Sequence, residues 1–322
     1  MATMIRHEQD HYPRLGTTER LFRQPVPPRL VRRTHQSDVF VTNLRVTGVD
    51  TFEVSARLPR AHSFYGPVRP GQHDPMLLLE TVRESILLVG HFAYEIPREY
   101  KWITHDKQFA FDAAGLSTPV TAGGTEPVEL LLVISNHDIK RRGRRPAAMR
   151  TEIECFRDGM RIGTATYNWS VVSGAAYKKL RGEHATAGPS VPAGVDVVRP
   201  DRVGRSDRVD VLLAERFGDT DEPGWQIRVD PAHPVIYDHP VDHVPGNAIA
   251  EVARQAALLA VDRPDALPVG GDFAFAHYLE FDAPCLVSAT VVGTASGRTG
   301  VRVAVDQDDH RSVDGVVELR VA

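Results

Sequence analysis

A chain of 322 residues with 42% hydrophobic and 25% charged side chains has ordinary globular composition and needs no disulfide or metal to staple its core. A formal net charge of −4 excludes a globally basic surface of the kind that coats nucleic acid. The two cysteines, Cys155 and Cys285, stand in strand-like text in different halves, fit no metal spacing or disulfide framework, and read as reduced core residues.

The first residues have no apolar stretch of the secretory kind, and no apolar run reaches the length of a membrane span. A soluble, cytoplasmic protein is therefore expected. Residues 1–33 are polar and proline-rich, with Pro25, Pro27 and Pro28 close together, and read as an arm. Strand-like text follows at Val39 to Val41, Leu44 to Val46 and, after a turn at Gly48, Phe52 to Ala56. A Gly/Pro-rich loop leads into an apolar helix expected over Pro75 to Tyr94. Strands are expected over Val128 to Ser135, Met149 to Phe156 and Arg161 to Val172, with Asp158-Gly159 as a hairpin turn. Residues 182–204 lack periodicity and are rich in Gly, Pro and Ala, so the linker is placed there. It separates a first domain over 34–181 from a second over 205–322.

The second half repeats the plan. Strand-like text at Asp210 to Phe217 and Gln226 to Val229 precedes a helix expected over Gly246 to Val261. Strands are then expected at Phe273 to Phe281, Cys285 to Val292, Gly300 to Val305 and Ser312 to Val321. Each half thus reads as α+β, one antiparallel sheet wrapped around one central helix.

A repeated motif opens both helices. His73-Asp74-Pro75 is followed by Glu80, Arg83 and Glu84; His243-Val244-Pro245-Gly246 is followed by Glu251, Arg254 and Gln255. Both copies read H-x-P, then E-x-x-R-[EQ], with one residue of offset, which points to internal duplication. A first helical turn presents unpaired N–H groups and a partial positive charge, able to hold a developing oxyanion. Both helices are apolar almost all round and so should be buried. A buried carboxylate and arginine three residues apart must pair or face a cavity that needs them. Burial is expected to raise the pKa of Glu80 towards useful base strength.

The second copy resembles the motif of hot-dog β-hydroxyacyl dehydratases, with a shorter His-to-Pro-Gly spacing. A closer resemblance is to the A-factor biosynthesis (AfsA-like) family. It is carried by Arg60 to Tyr65, His73-Asp74-Pro75 with Glu80 to Arg83, Phe156 to Gly159, Tyr177-Lys178-Lys179-Leu180-Arg181, and Asp238 to Gly246 with Glu251 and Arg254 to Ala256. Asn247 and Glu84 depart from the family pattern, which has a large apolar residue and more often glutamine at these places.

The resemblance implies a tandem hot-dog fold with the two halves facing each other. It also implies transfer of a β-ketoacyl group, carried by acyl carrier protein or coenzyme A, to the hydroxyl of dihydroxyacetone phosphate, on the way to a butenolide, γ-butyrolactone or furan signalling molecule. Glu80 is then expected to be the general base and Arg254 to hold phosphate or oxyanion. His73, Arg83, His243, Gly246, Glu251 and Gln255 are expected to orient or bind substrate. A hot-dog thioesterase or dehydratase, and a non-catalytic acyl- or butyrolactone-binding regulator, are the alternatives. Monomer and homodimer both stay open.

The run Lys140 to Arg145 is the densest basic patch. It reads as a solvated loop or as a dock for an acidic carrier protein, and it lacks the interleaved aromatics of a single-strand nucleic-acid site. No phosphate-cradling glycine loop, metal-spaced His/Cys/Asp cluster or nucleophile elbow is present in the sequence, so a cofactor-free, metal-free enzyme is expected. Gly123-Gly124 and Gly270-Gly271 read as turn glycines.

Overall fold

The computed structural model describes residues 24–118, 127–189, 196–215 and 224–321. In the first half, β1 (Val41–Gly48) and β2 (Thr51–Leu58) precede α1 (Pro75–Phe92), followed by β3 (Lys101–Phe111), β4 (Val128–Arg142), β5 (Arg145–Arg157), β6 (Met160–Val172) and the short α2 (Gly174–Arg181). The second half runs β7 (Leu213–Glu215), β8 (Trp225–Ile227), α3 (Gly246–Val261), β9 (Leu267–Phe275), β10 (Leu286–Ala295), β11 (Arg298–Gln307) and β12 (His310–Arg320).

All twelve strands form one sheet in the order β1-β2-β4-β5-β6-β3-β9-β12-β11-β10-β8-β7. The second half repeats the first in reverse. The two meet where β3 pairs antiparallel with β9, from Asp106 opposite Ala274 to Ala110 opposite Gly270. This is the tandem hot-dog architecture. Helix α1 packs against β1 and β2 and reaches β9 across the joint, while α3 packs against β7, β10, β11 and β12. Every residue of α1 except Arg83 and Phe92 is buried, as is α3 from Ala248 to Leu259. Leu78 and Val82 of α1 share one apolar cluster with Val252 and Leu258 of α3. Cys155 and Cys285 are buried and unpaired. Among the described residues no helix is long and apolar enough to cross a membrane.

Strand β3 and helix α2 have no counterpart among the sequence expectations. The text of β3 is heavily charged, yet its inward positions Lys107, Phe109 and Phe111 are buried while Gln108 and Ala110 are exposed, the period-2 pattern of a half-buried strand. Lysine at an inward position hides that alternation.

Gly270 and Gly271, expected in a turn, lie inside β9. Gly123 and Gly124 fall outside the described residues. A Cβ on Gly271 would come within 2.6 Å of the Phe109 ring and 2.7 Å of the Phe273 ring, so these aromatics close over the backbone at the joint. The residue is glycine because rings from both halves occupy its side-chain space.

The duplication extends beyond the helices. Residues 28–33 and 200–205 read P-x-x-V-x-R and fold as twins: a single 3-10 turn, then a backbone N–H returning to its start, from Arg33 to the Pro28 carbonyl at 3.0 Å and from Arg205 to the Pro200 carbonyl at 2.9 Å. The first of these segments ends the stretch read as an arm, and the second crosses the end of the stretch read as a linker. Both are packed inward, with Val31 and Val203 buried.

Replacing Gly271 with Ala should overpack the joint and lower unfolding free energy by about 1–3 kcal/mol. Denaturant titration of the full chain, compared with the parent, measures it.

Candidate active site

Two buried carboxylates organise the interior, one on each central helix. Glu80 receives Arg33 Nε and Nη2 on Oε1 at 3.1 and 2.5 Å. Arg83, one turn along α1, places Nε 3.1 and 3.0 Å from the two carboxylate oxygens and Nη2 2.6 Å from Oε1. Asn247, in the first turn of α3, donates its amide to Oε2. Glu251 repeats the arrangement: Arg205 Nε to Oε1 at 3.0 Å, Arg254 Nε to Oε2 at 2.9 Å, Arg254 Nη2 to Oε1 at 2.6 Å, and the Gln255 amide to Oε1 at 2.6 Å. Arg83 also donates to the Val31 carbonyl and Arg254 to its twin, the Val203 carbonyl.

Burial pushes Glu80 upwards, but Arg33 and Arg83 outweigh it and hold the carboxyl below its ordinary range. The raised pKa expected from the sequence is thus corrected: an apolar helix predicts desolvation alone, and Arg33 arrives from elsewhere in the chain. Burial and Glu80 push the neighbouring Glu84 up instead, to about 8. It accepts from the Phe40 and Val41 N–H groups at 2.8 and 3.2 Å, as its twin Gln255 accepts from Leu212 N–H at 2.9 Å.

The twins differ in what faces them. At the start of α1, Asp74 caps its own helix, accepting from Met76 N–H at 2.9 Å, and Arg205 fills the remaining space, 3.3 Å from Asp74 and 2.5 Å from the Phe64 carbonyl. At the start of α3, the cap position is Pro245, with no side-chain cap, so the first-turn N–H groups stay available. There a cavity of about 440 Å³ opens between the halves. Arg83, Lys107, His243, Gly246 and Asn247 line it, with Arg32 and Arg33 on one wall. Its apolar wall includes Trp102, Ile236 and Phe275.

Of the residues singled out in the sequence, Arg83, His243 and Gly246 line this cavity, and Glu80 lies directly behind Arg83 and Asn247. His73, Glu251, Arg254 and Gln255 are not on its walls; all four are buried. Arg254, expected to hold phosphate or oxyanion, lies off this cavity: its Nε and Nη2 bond Glu251 and the Val203 carbonyl, and its buried Nη1 has no hydrogen-bond partner among the described residues. The two motif histidines are not equivalent either. His73 N–H and Val244 N–H make the twin bonds, to the Leu116 and Leu279 carbonyls at 2.8 and 2.9 Å. The true register thus pairs His73 with Val244, and the H-x-P match was one residue out. His73 is buried and pushed down to about 4 by burial and Arg157.

His243 is held by a neighbouring carboxylate. Its Nδ1 lies 2.8 Å from Asp242 Oδ1, which also accepts from the Tyr177 hydroxyl at 3.0 Å. With Nδ1–H donated to the carboxylate, Nε2 carries the free lone pair. Its ring also meets the Tyr278 ring edge-on at 4.8 Å. Arg32, at φ 55°, is left-handed where its twin Gly204 has φ 65°, so a side chain strained by about 1–3 kcal/mol reaches the cavity only in this half. Burial and the neighbouring Arg83 lower its pKa to about 10. Lys107 is also buried, its Nζ 3.2 Å from the Gly246 carbonyl. Sequence reading missed Arg32, Arg33, Lys107, Asp242 and Tyr177 as site residues; the repeated P-x-x-V-x-R was the available signal for Arg33. Among the described residues no three His, Cys, Asp or Glu side chains converge as metal ligands.

A family model described as the A-factor biosynthesis hotdog domain matches residues 3–173 and 189–321. The chain belongs to the AfsA family. It is 37% identical over 287 residues to the 2-oxo-3-(phosphooxy)propyl 3-oxoalkanoate synthase of Streptomyces coelicolor, covering 88% of each chain. It is equally identical to the protein of that name from Streptomyces virginiae, covering 88% of this chain and 94% of that one. Among solved structures, a provisionally named thioesterase from Novosphingobium aromaticivorans superposes with a TM-score of 0.51 at 12% identity, over 87% of this chain and 98% of that one. That likeness speaks to fold alone. Within the AfsA chain, the start of α3 borders the cavity, whereas Arg205 fills the space at the start of α1.

Two substitutions separate these roles. Glu84 keeps a proton in the folded state that an unfolded carboxyl loses, so its contribution to stability is full below the ordinary carboxylate range and is lost as pH rises through about 8. The melting temperature of Glu84→Gln should thus gain on the parent as pH rises, and level off above that point. Arg254→Ala leaves Glu251 with a buried charge short of a partner and should cost about 3–5 kcal/mol in denaturant unfolding.

Proposed function

We propose that the protein transfers a β-ketoacyl group from a thioester to the hydroxyl of dihydroxyacetone phosphate, giving the phosphorylated ester named in its relatives. The observation that carries this is the cavity at the uncapped start of α3, which combines a base, oxyanion donors and the guanidinium groups of Arg32 and Arg83. His243 Nε2 takes the proton from the attacking hydroxyl, and Asp242 stabilises the imidazolium that forms. The first-turn N–H groups of α3 receive the oxyanion of the tetrahedral intermediate. Collapse expels the thiolate, which recovers the proton from His243. Arg32 and Arg83 bind the phosphate, a role their position supports better than that of Arg254. Glu80, saturated by donors, serves as a positioning residue that fixes Arg83 and Asn247, and His243 replaces it as base.

The acyl donor in this proposal rides on an acidic carrier protein, with coenzyme A as the smaller substitute. Lys178, Lys179 and Leu180 of α2 are exposed, and Leu180 lies on the cavity wall. Beyond them, Arg145 lies over the Tyr100 ring and Lys101 over the Tyr177 ring, extending the basic strip towards the Lys140 to Arg145 hairpin. Both halves of one chain build the cavity, so a homodimer is not needed to complete it. A cytoplasmic location accords with thioester donors.

Mass spectrometry of reactions containing a β-ketoacyl thioester, on carrier protein and on coenzyme A, with and without dihydroxyacetone phosphate, tests the reading. A phosphorylated ester or its ring-closed product should appear only with both substrates. His243→Asn should lower kcat by about 10²-fold or more. Free acid or enoyl product independent of the alcohol would replace the proposal with thioesterase or dehydratase chemistry; tight butyrolactone binding without turnover would replace it with a regulator.

A further inference from the structure

The cavity is polar at one end and aromatic at the other, and a single side chain closes the aromatic end. Arg83, Ile86 and Leu87 of α1 line it in turn, three positions on one helical face. Gly90 is the next residue on that face, about 10 Å along the axis from Arg83. It is not on the walls, because the Trp102 indole of β3 covers it and faces the cavity in its place. A Cβ on Gly90 would overlap Trp102 Cη2 and come within 2.8 Å of Cζ2. The ring therefore lies directly on bare helix backbone, in the space a side chain would take.

Two tryptophans meet at this end and are held in different ways. The rings of Trp102 and Trp169 lie 4.5 Å apart, tilted by 34°. Trp169 is buried and tethered by a chain of hydrogen bonds. Its Nε1 donates to the Thr151 hydroxyl at 2.8 Å, Thr151 to Asn136 Oδ1 at 2.6 Å, Asn136 to the Tyr94 hydroxyl at 3.0 Å, and Tyr94 to Asp50 Oδ1 at 2.8 Å. Trp102 is only partly buried, and its Nε1 has no hydrogen-bond partner among the described residues. Its ring meets His91 edge-on at 5.6 Å. Packing alone sets where this indole stands, so Trp169 is a fixed floor and Trp102 a wall that can be moved.

We propose that Trp102, standing on Gly90, is the end wall of the acyl pocket and sets the length of acyl chain the protein accepts. This rests on the acyl-transfer reading above, which puts the thioester carbonyl at the start of α3 and runs the chain along Ile86 and Leu87 towards the indole. Each methylene that fits between carbonyl and ring leaves water, raising affinity about fourfold. The first one that does not fit meets the ring, and overpacking reverses the gain. The wall can be moved in both directions. Trp102→Ala removes it and uncovers the Gly90 face, so longer chains fit. Gly90→Ala puts a methyl group under the indole. With the helix on one side and the tethered Trp169 on another, the ring yields into the cavity, so only shorter chains fit. Trp102→Phe keeps an aromatic wall of smaller reach and falls between the parent and Trp102→Ala.

The test is a ladder of β-ketoacyl coenzyme A analogues, lengthened two carbons at a time, with a methylene in place of the thioester sulfur so that nothing turns over. Calorimetry on the full chain should show affinity rising with length and then breaking. The break should come later in Trp102→Ala and earlier in Gly90→Ala. The first chain that the parent rejects should bind Trp102→Ala about tenfold tighter, the worth of two buried methylenes. With true thioesters and dihydroxyacetone phosphate, kcat/KM for ester formation should break at the same lengths. Thermal melts show which variants fold, and Trp102→Phe and Trp102→Ala carry the test if Gly90→Ala does not. A break at one length in the parent and every folded variant, or one that moves the same way in Trp102→Ala and Gly90→Ala, overturns the proposal. The binding arm involves no chemistry. A break that moves as expected, with no ester from the true thioesters, would therefore sink the acyl-transfer reading and leave Trp102 as the wall of an acyl-binding pocket. Ester formed with an unmoved break would do the reverse.

Discussion

The structure depends on the need to satisfy two carboxylates buried inside apolar helices. Neither Glu80 nor Glu251 can remain ionised there without partners, because the cost of desolvating a carboxylate is several kcal/mol (order of magnitude). Each is met by an arginine one turn along its own helix and by another from a preceding P-x-x-V-x-R segment. Those arginines tie the segments 28–33 and 200–205 to the helices. The helices in turn give the two halves of the sheet something to wrap. Asn247 of α3 binds Glu80 of α1, and Arg205 of the second half binds Asp74 of the first, so the ion clusters also lock the halves together.

Symmetry alone would give two sites, and local chemistry leaves one. Asp74 supplies a carboxylate where an anion would bind at the start of α1, and Arg205 neutralises and covers it. Pro245 at the start of α3 brings no such group, so the helix dipole and its N–H donors face the cavity. On the same side Arg32 stands in a left-handed backbone conformation in place of Gly204, turning a structural corner into a cation on the cavity wall. The first copy of the ion cluster thus borders the cavity through Arg33, Arg83 and Asn247, while Glu251 and Arg254 of the second lie off its walls.

The same comparison separates groups enclosed by partners from those that border the cavity with few. Glu80 accepts from Arg33, Arg83 and Asn247 and has little capacity left. His243 and Lys107 are poor in partners and border the cavity, one oriented by Asp242 and the other kept near neutrality by burial. Partner count, more than residue type, distinguishes a side chain that holds the fold from one that can meet a substrate.

The chain by itself determined the duplication, the two apolar helices starting near Pro75 and Gly246, the antiparallel character of the sheet and, through the E-x-x-R motifs, the presence of a charged pair in each helix. These follow from local periodicity and from short-range spacing, which the order of residues carries directly. It did not determine that β3 joins the halves, since Lys107 and Asp106 disguise its alternation until β6 and β9 flank it. Nor could it show the low pKa of Glu80, which requires Arg33 from 47 residues away. The register of the repeat slipped by one because proline marks a helix start in either of two adjacent positions, and only the backbone bonds of His73 and Val244 resolve it. Which half is open was decided by tertiary structure, because it depends on whether a carboxylate from one half meets an arginine from the other.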